Sequence, residues 1–150
     1  LGYRELTVRD VVTRADAEIV AHTLAGDSDR TKQWQDIFES IGDIQATSAA
    51  RGIEFALTLY PWAHQISETE WVPGRFAFMP QDAVASDTSY RTIKEMSAAR
   101  GIPLVDLYPT FKASLGPEPL YFAYDMHWTA AGHRVISLMA RASRDFRLRP

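Results

Sequence analysis

The hexapeptide Ser48-Ala49-Ala50-Arg51-Gly52-Ile53 recurs letter for letter as Ser97-Ala98-Ala99-Arg100-Gly101-Ile102. Each copy closes a stretch with helical spacing and opens a stretch that alternates or runs apolar. Both of those later stretches stop at Leu-Tyr-Pro, as Leu59-Tyr60-Pro61 and Leu107-Tyr108-Pro109. A glycine just past the last helical residue supplies the left-handed conformation that ends a helix. The chain therefore makes the same helix-to-strand junction twice. Shared junction chemistry explains the recurrence more simply than duplication does. Helices that alternate with strands in this way imply an α/β fold: a mostly parallel sheet with helices on its faces.

The remaining elements follow from periodicity. Val8, Val11, Val12, Ala15, Ile19 and Val20 predict a helix over about Thr7–Leu24. Ala25-Gly26-Asp27-Ser28-Asp29 breaks it. Trp34, Ile37, Phe38, Ile41, Ile44 and Ser48 predict a second helix, with Asp27, Ser28 or Asp29 as its cap. Ile53, Phe55, Leu57 and Leu59 alternate as a strand. From His64 to Ser89 the chain reads as a packed loop, because Trp71, Phe76 and Phe78 are too apolar for a free linker. A helix over about Thr88–Arg100, a strand over Leu104–Tyr108 and a last helix carrying Val135, Leu138, Met139 and Ala142 complete the pattern.

Composition excludes several functions. Sixteen Lys and Arg against nineteen Asp and Glu leave no basic excess for nucleic acid. There is no cysteine, which removes thiolate catalysis, disulfides and zinc–sulfur sites. No apolar run reaches the roughly 18 residues of a membrane helix, and no signal segment is visible. The length of 150 residues suits a single domain.

The chemistry concentrates in Asp125-Met126-His127. Residues two apart do not face each other on a helix, but on extended backbone their side chains point the same way. Thr129 is a good helix N-cap, so the triplet sits on a loop entering the last helix. There Asp125 can hold one ring nitrogen of His127 and leave the other as a general base. That is two-thirds of a nucleophile–histidine–acid triad.

The string Tyr121-Phe122-x-x-Asp125-x-His127-Trp128-x-x-x-Gly132-His133, followed by an amphipathic helix, resembles the C-terminal block of SGNH/GDSL hydrolases. The likeness covers about Trp34 to Ala142. It implies a three-layer, flavodoxin-like α/β domain, with residues 1–150 as its C-terminal portion. It also implies acyl-ester hydrolysis with Asp125 and His127 as catalytic acid and base, no cofactor, and a small acyl ester or acetylated glycan as substrate. An extracytoplasmic location would agree with the resemblance. In that family the serine lies in an N-terminal Gly-Asp-Ser block, and an Asn from another block helps form the oxyanion hole. This chain contains no Asn and opens on Leu1. The expectation is that the portion carrying the serine precedes this sequence, and that the chain alone is nearly inactive. Gly26-Asp27-Ser28 imitates the missing block, but Ser28 reads better as a helix cap. The alginate-type polysaccharide O-acetyltransferases of the same superfamily also carry Asp-x-His-Trp, there ahead of the serine block. Gly132-His133 and the terminal helix favour the hydrolase arrangement over that one. A non-catalytic domain binding glycan or protein is the third alternative.

The other candidates read as structural. His133 packs or is solvated. Asp125, His127 and His133 lack a fourth metal ligand, so no metal site is expected. His64 reads as a surface residue, His22 carries no signal, and Asp106 reads as an acceptor within a strand.

Overall fold

The computed structural model describes residues 20–25 and 30–145, with the side chains of Thr31 and 139–145 left aside. Of the expected helix over Thr7–Leu24 only residues 20–24 are described: Val20 and Ala21 are helical, but His22 and Thr23 form a turn and Leu24 bridges Ala85, so the helix ends earlier than expected; Ser28 falls outside the described residues.

Helix α1 (Thr31–Ala49) leads to strand β1 (Leu57–Leu59) and a short α2 (Ala63–Ile66). An excursion with a 3-10 turn (Gly74–Ala77) follows, then α3 (Thr88–Ala99) and β2 (Leu104–Asp106). The chain ends in α4 (Tyr108–Ala113) and α5 (Ala130–Asp145). The two strands pair in parallel, Leu57 with Leu104 and Leu59 with Asp106. The fold is α/β, with a small parallel sheet of two strands among the described residues.

The repeated hexapeptide builds the same cap twice. Gly52 and Gly101 adopt φ of 66° and 61°. The amide of Ile53 donates to Ser48 C=O at 3.0 Å, and that of Ile102 to Ser97 C=O at 2.9 Å. The glycine amides donate to Ala49 and Ala98 C=O. Both ends are thus Schellman motifs, which occupy carbonyls a helix end leaves open.

Three expectations need correction here. The strand after Gly52 is shorter than its alternation implied. Ile53 is exposed, and regular pairing begins only at Leu57, where the Leu57 amide reaches Pro103 C=O at 2.8 Å. A strand needs a ladder partner, and alternation alone does not supply one. Helix α1 has Arg30 at its N-cap, with no side-chain capping bond there, and the expected cap at Asp27, Ser28 or Asp29 lies outside the described residues. Its inward stripe runs through buried Phe38 and half-buried Trp34, Ile41 and Ser48, while Ile37 and Ile44 face outward. Helix α4 was not anticipated, although Pro109 lies in its first turn, where a missing amide costs nothing.

The main core does not lie on the sheet. It joins Ala63, Ile66, Trp71, Met79, Leu107, Phe111, Leu120, Tyr121 and Val135 with Val20. Each such large apolar side chain contributes about 1.5–3 kcal/mol by leaving water. This cluster gathers where β2 has ended, under the loop that carries Asp125 and His127.

Candidate active site

The loop bearing Asp125 and His127 is closed at its base. Tyr121 and Trp128 form an antiparallel bridge. The Phe122 amide donates to His127 C=O at 3.1 Å, and the Thr129 amide to Leu120 C=O at 2.9 Å. Thr129 then starts α5 as expected: its Oγ1 accepts from the Gly132 amide at 3.3 Å. Gly132 itself is required by packing. A Cβ there would run into the Leu120 carbonyl oxygen and come within 2.9 Å of Trp128 Cβ.

Two residues distant in sequence hold this loop, and neither stood out beforehand. Glu70 is buried, and its carboxylate accepts the Leu120 amide at 3.0 Å and the Tyr121 amide at 3.0 Å. Hydrogen bonds from amides to a carboxylate are among the stronger kind. The Gly74 amide donates to Ala123 C=O at 2.7 Å, and a Cβ on Gly74 would fall 2.6 Å from that oxygen. The Tyr121 hydroxyl reaches back to Pro61 C=O, just past β1. The loop is therefore pinned to the excursion and to the carboxyl end of β1.

Within it the acid and base meet as the spacing implied. Asp125 Oδ1 accepts the His127 backbone amide at 2.7 Å and also pairs with ring Nδ1. One oxygen bridging an amide two residues on is an Asx-type turn, which aspartate favours. Burial pushes the Asp125 carboxyl up, but the bonds from the His127 ring and amide and the ring's charge outweigh it, so the group sits below its ordinary range. An ionised Asp125 on Nδ1 selects the tautomer with its lone pair on Nε2. The His127 side chain is 85% exposed and that of Asp125 54%. Among the described residues no serine bonds to the His127 ring.

Trp128 anchors the next position. Its ring meets Tyr60 edge-on at 4.7 Å and His133 edge-on at 5.6 Å, with Phe111 at 6.0 Å. His133 is exposed and packs on Trp128. No group of three or more metal-ligating side chains occurs among the described residues.

Residues 20–143 match the family described as SGNH hydrolase-like domain, acetyltransferase AlgX. The chain belongs to this family. No curated protein and no solved structure matches it. The SGNH resemblance read from Asp125-x-His127-Trp128 thus stands. The family's description points to the acetyltransferase alternative, which the sequence had placed second to the hydrolase.

His64 departs from expectation. It is 4% exposed, where a surface residue was expected. Thr23 Oγ1 donates to Val20 C=O at 2.6 Å and so receives the His64 Nε2 proton at 2.6 Å. Burial pulls this imidazole down to about 4, and the Arg75 charge adds to the effect. Asp106 is an acceptor, bonded by the Tyr90 hydroxyl, by Lys94 Nζ at 3.0 Å and by the Tyr108 amide at 3.0 Å.

Proposed function

We propose that this chain supplies the acid–base half of an SGNH-type acyltransferase that moves an acetyl group onto a sugar hydroxyl, within a three-layer domain whose serine lies outside the described residues. The hydrogen bond between Asp125 and His127 Nδ1 carries the reading, because it leaves Nε2 as the base. Family membership supports acetyl transfer as the reaction.

In the first step the serine Oγ attacks the ester carbonyl and its proton passes to His127 Nε2. Collapse of the tetrahedral adduct expels the donor alkoxide, which takes that proton and leaves an acyl-serine. An acceptor hydroxyl then gives its proton to Nε2 and attacks the acyl carbon. The serine leaves and recovers the proton. Asp125 stays ionised throughout and stabilises the imidazolium.

Hydrolysis is the second reading. The exposure of His127 and Asp125 favours it, because water reaches the base freely.

A fluorophosphonate probe on the full-length protein, followed by peptide mapping, tests the assignment. The expected result is one labelled serine outside residues 30–145, with labelling lost in His127→Ala. Labelling that persists in His127→Ala would sink the proposal. Adding a glycan acceptor distinguishes the two readings: acetylated glycan should exceed free acetate if transfer is the reaction.

A further inference from the structure

A cavity of about 140 Å³ opens at the carboxyl end of β1, between α1 and α3. The position matters, since ligands of α/β folds bind beyond the carboxyl ends of strands. Five Trp and Tyr rings line it: Trp34 from α1, Tyr60 and Trp62 from the chain leaving β1, Tyr90 from α3 and Tyr108 from the start of α4. No Lys, Arg, Asp or Glu lines it.

These rings divide by what their polar atoms do. The Tyr90 hydroxyl is bound to Asp106, and the Tyr108 hydroxyl donates to Gln65 C=O at 2.6 Å. The two rings lie 4.7 Å apart and present apolar area to the cavity. The other three keep their polar atoms open. The Trp34 and Trp62 indole N–H groups and the Tyr60 hydroxyl hydrogen-bond to no protein group among the described residues. Tyr60 is half exposed, and Trp34 and Trp62 are partly exposed, so this wall reaches solvent.

That combination selects among ligands. A phosphate or a carboxylate would find no countercharge on the wall. A wholly apolar ligand would strip water from three polar groups and leave them unpaired. A pyranose ring meets both halves of the wall. Its C–H bonds present positive partial charge to the negative faces of aromatic rings. Its hydroxyls accept from the two indole N–H groups and exchange hydrogen bonds with Tyr60 in either direction. A cavity of roughly 150 Å³ takes up a six-membered ring such as benzene, so this one admits a pyranose ring whose substituents reach the mouth.

We propose that this cavity is a sugar subsite that grips one ring of the acceptor glycan, a ring other than the one being acetylated. The inference rests on the acyl-transfer reading above. Tyr60 ties the subsite to the loop of Asp125 and His127, because its ring also meets Trp128 edge-on at 4.7 Å. A single sugar cannot fill the subsite and present its hydroxyl elsewhere at once. The acceptor is therefore a chain of linked sugars, and the subsite sorts such chains from monosaccharides.

Two measurements on the full-length protein test this. Calorimetric titration compares cellohexaose with a hexamer of mannuronic acid, which carries a carboxylate on every ring; hexanamide and inorganic phosphate serve as comparisons. Expected is saturable binding of a hexasaccharide, cellohexaose the tighter because no cation lines the wall, and none of hexanamide or phosphate. Trp62→Ala and Trp34→Ala should each weaken that binding at least about tenfold. Tyr60→Phe keeps the ring beside Trp128 and removes only the hydroxyl, and should weaken binding about threefold or more; it keeps the test open should a tryptophan variant fail to fold. In acetyl transfer to the same hexasaccharide, each variant should raise KM by the factor lost in binding while kcat holds, the pattern of lost uniform binding. Hexasaccharide binding unchanged in folded Trp62→Ala and in Tyr60→Phe would overturn the proposal, as would saturable binding of hexanamide or phosphate with no hexasaccharide bound. Acetyl transfer with KM unchanged in these variants would overturn the subsite and leave the acyl-transfer reading intact. Hexasaccharide binding that is lost in Trp62→Ala and Tyr60→Phe, in a protein that transfers no acetyl group, would uphold the subsite and overturn that reading.

Discussion

His64 and His127 bond to neighbours of opposite character, and the contrast separates an imidazole built into the core from one placed as the proposed base requires. His64 lies inside the core and gives its Nε2 proton to a threonine hydroxyl that passes its own proton to a carbonyl. Nothing there stabilises a second proton, and burial together with Arg75 keeps the ring neutral. His127 lies in the open against a carboxylate. An imidazolium formed there has its countercharge in contact. A hydroxyl partner with burial gives a spacer; a carboxylate partner with exposure gives a base.

The largest expected effect breaks this contrast from the reactive side. His127→Ala should lower acyl transfer by the full-length protein about 10⁴-fold, because triad members act as a unit. Its unfolding free energy from urea melts should stay within about 0.5 kcal/mol of the parent, as befits an exposed position. A large loss of stability would mean that His127 is structural after all.

The next effect belongs to His64 and concerns pH. Its folded-state value of about 4 lies below the ordinary 6.5. Between those limits the unfolded chain takes up a proton that the folded chain refuses. Stability therefore falls as pH drops from 6.5 to 4, by about 3 kcal/mol at 1.36 kcal/mol per unit. Urea melts at a series of pH values should show this slope, and His64→Gln should flatten it. Asp125 adds a separate acid limb, because its depressed carboxyl favours the folded loop only while ionised. That contribution is present above the unfolded carboxylate range and fades as pH falls through the lower folded value.

Glu70→Gln probes what keeps the exposed pair in place. The amide keeps one acceptor oxygen for the Leu120 and Tyr121 amides, so a loss of about 1–3 kcal/mol is expected. Hydrogen exchange should show faster opening of residues 120–128, with the His64 neighbourhood unaffected. The smallest effect is at the junctions. Gly52→Ala and Gly101→Ala should each cost about 1–2 kcal/mol, since both sit at positive φ with open space beside them. Equal costs would confirm that the repeated hexapeptide does the same work twice.

What the sequence disclosed divides by range. The junctions at Gly52 and Gly101, the helices after Arg30 and Asp87, and the Asp125–His127 contact all depend on residues within a few positions of one another. Local chemistry specifies them, and they were legible. His64 and Glu70 were not. His64 finds Thr23 at a separation of 41 residues, and Glu70 finds Leu120 at 50. A histidine between Ala63 and Gln65 carries no mark of the threonine that will bury it. Nor does a glutamate in Ser67-Glu68-Thr69-Glu70 differ from any solvated acid until the chain returns to it. The same limit explains Ile37 and Ile44, whose spacing fits the core face although the fold turns them out.

Asp125 and His127, the proposed acid and base, stand two residues apart in one loop closed by Tyr121 and Trp128. Their mutual geometry is thus indifferent to chain order. A loop of this kind works as a cassette: circular permutation that moved a nucleophile block from one side of it to the other would leave the hydrogen bond between Asp125 and His127 untouched. Acyl-transfer enzymes that read their catalytic blocks in opposite orders can therefore share it without rebuilding the base.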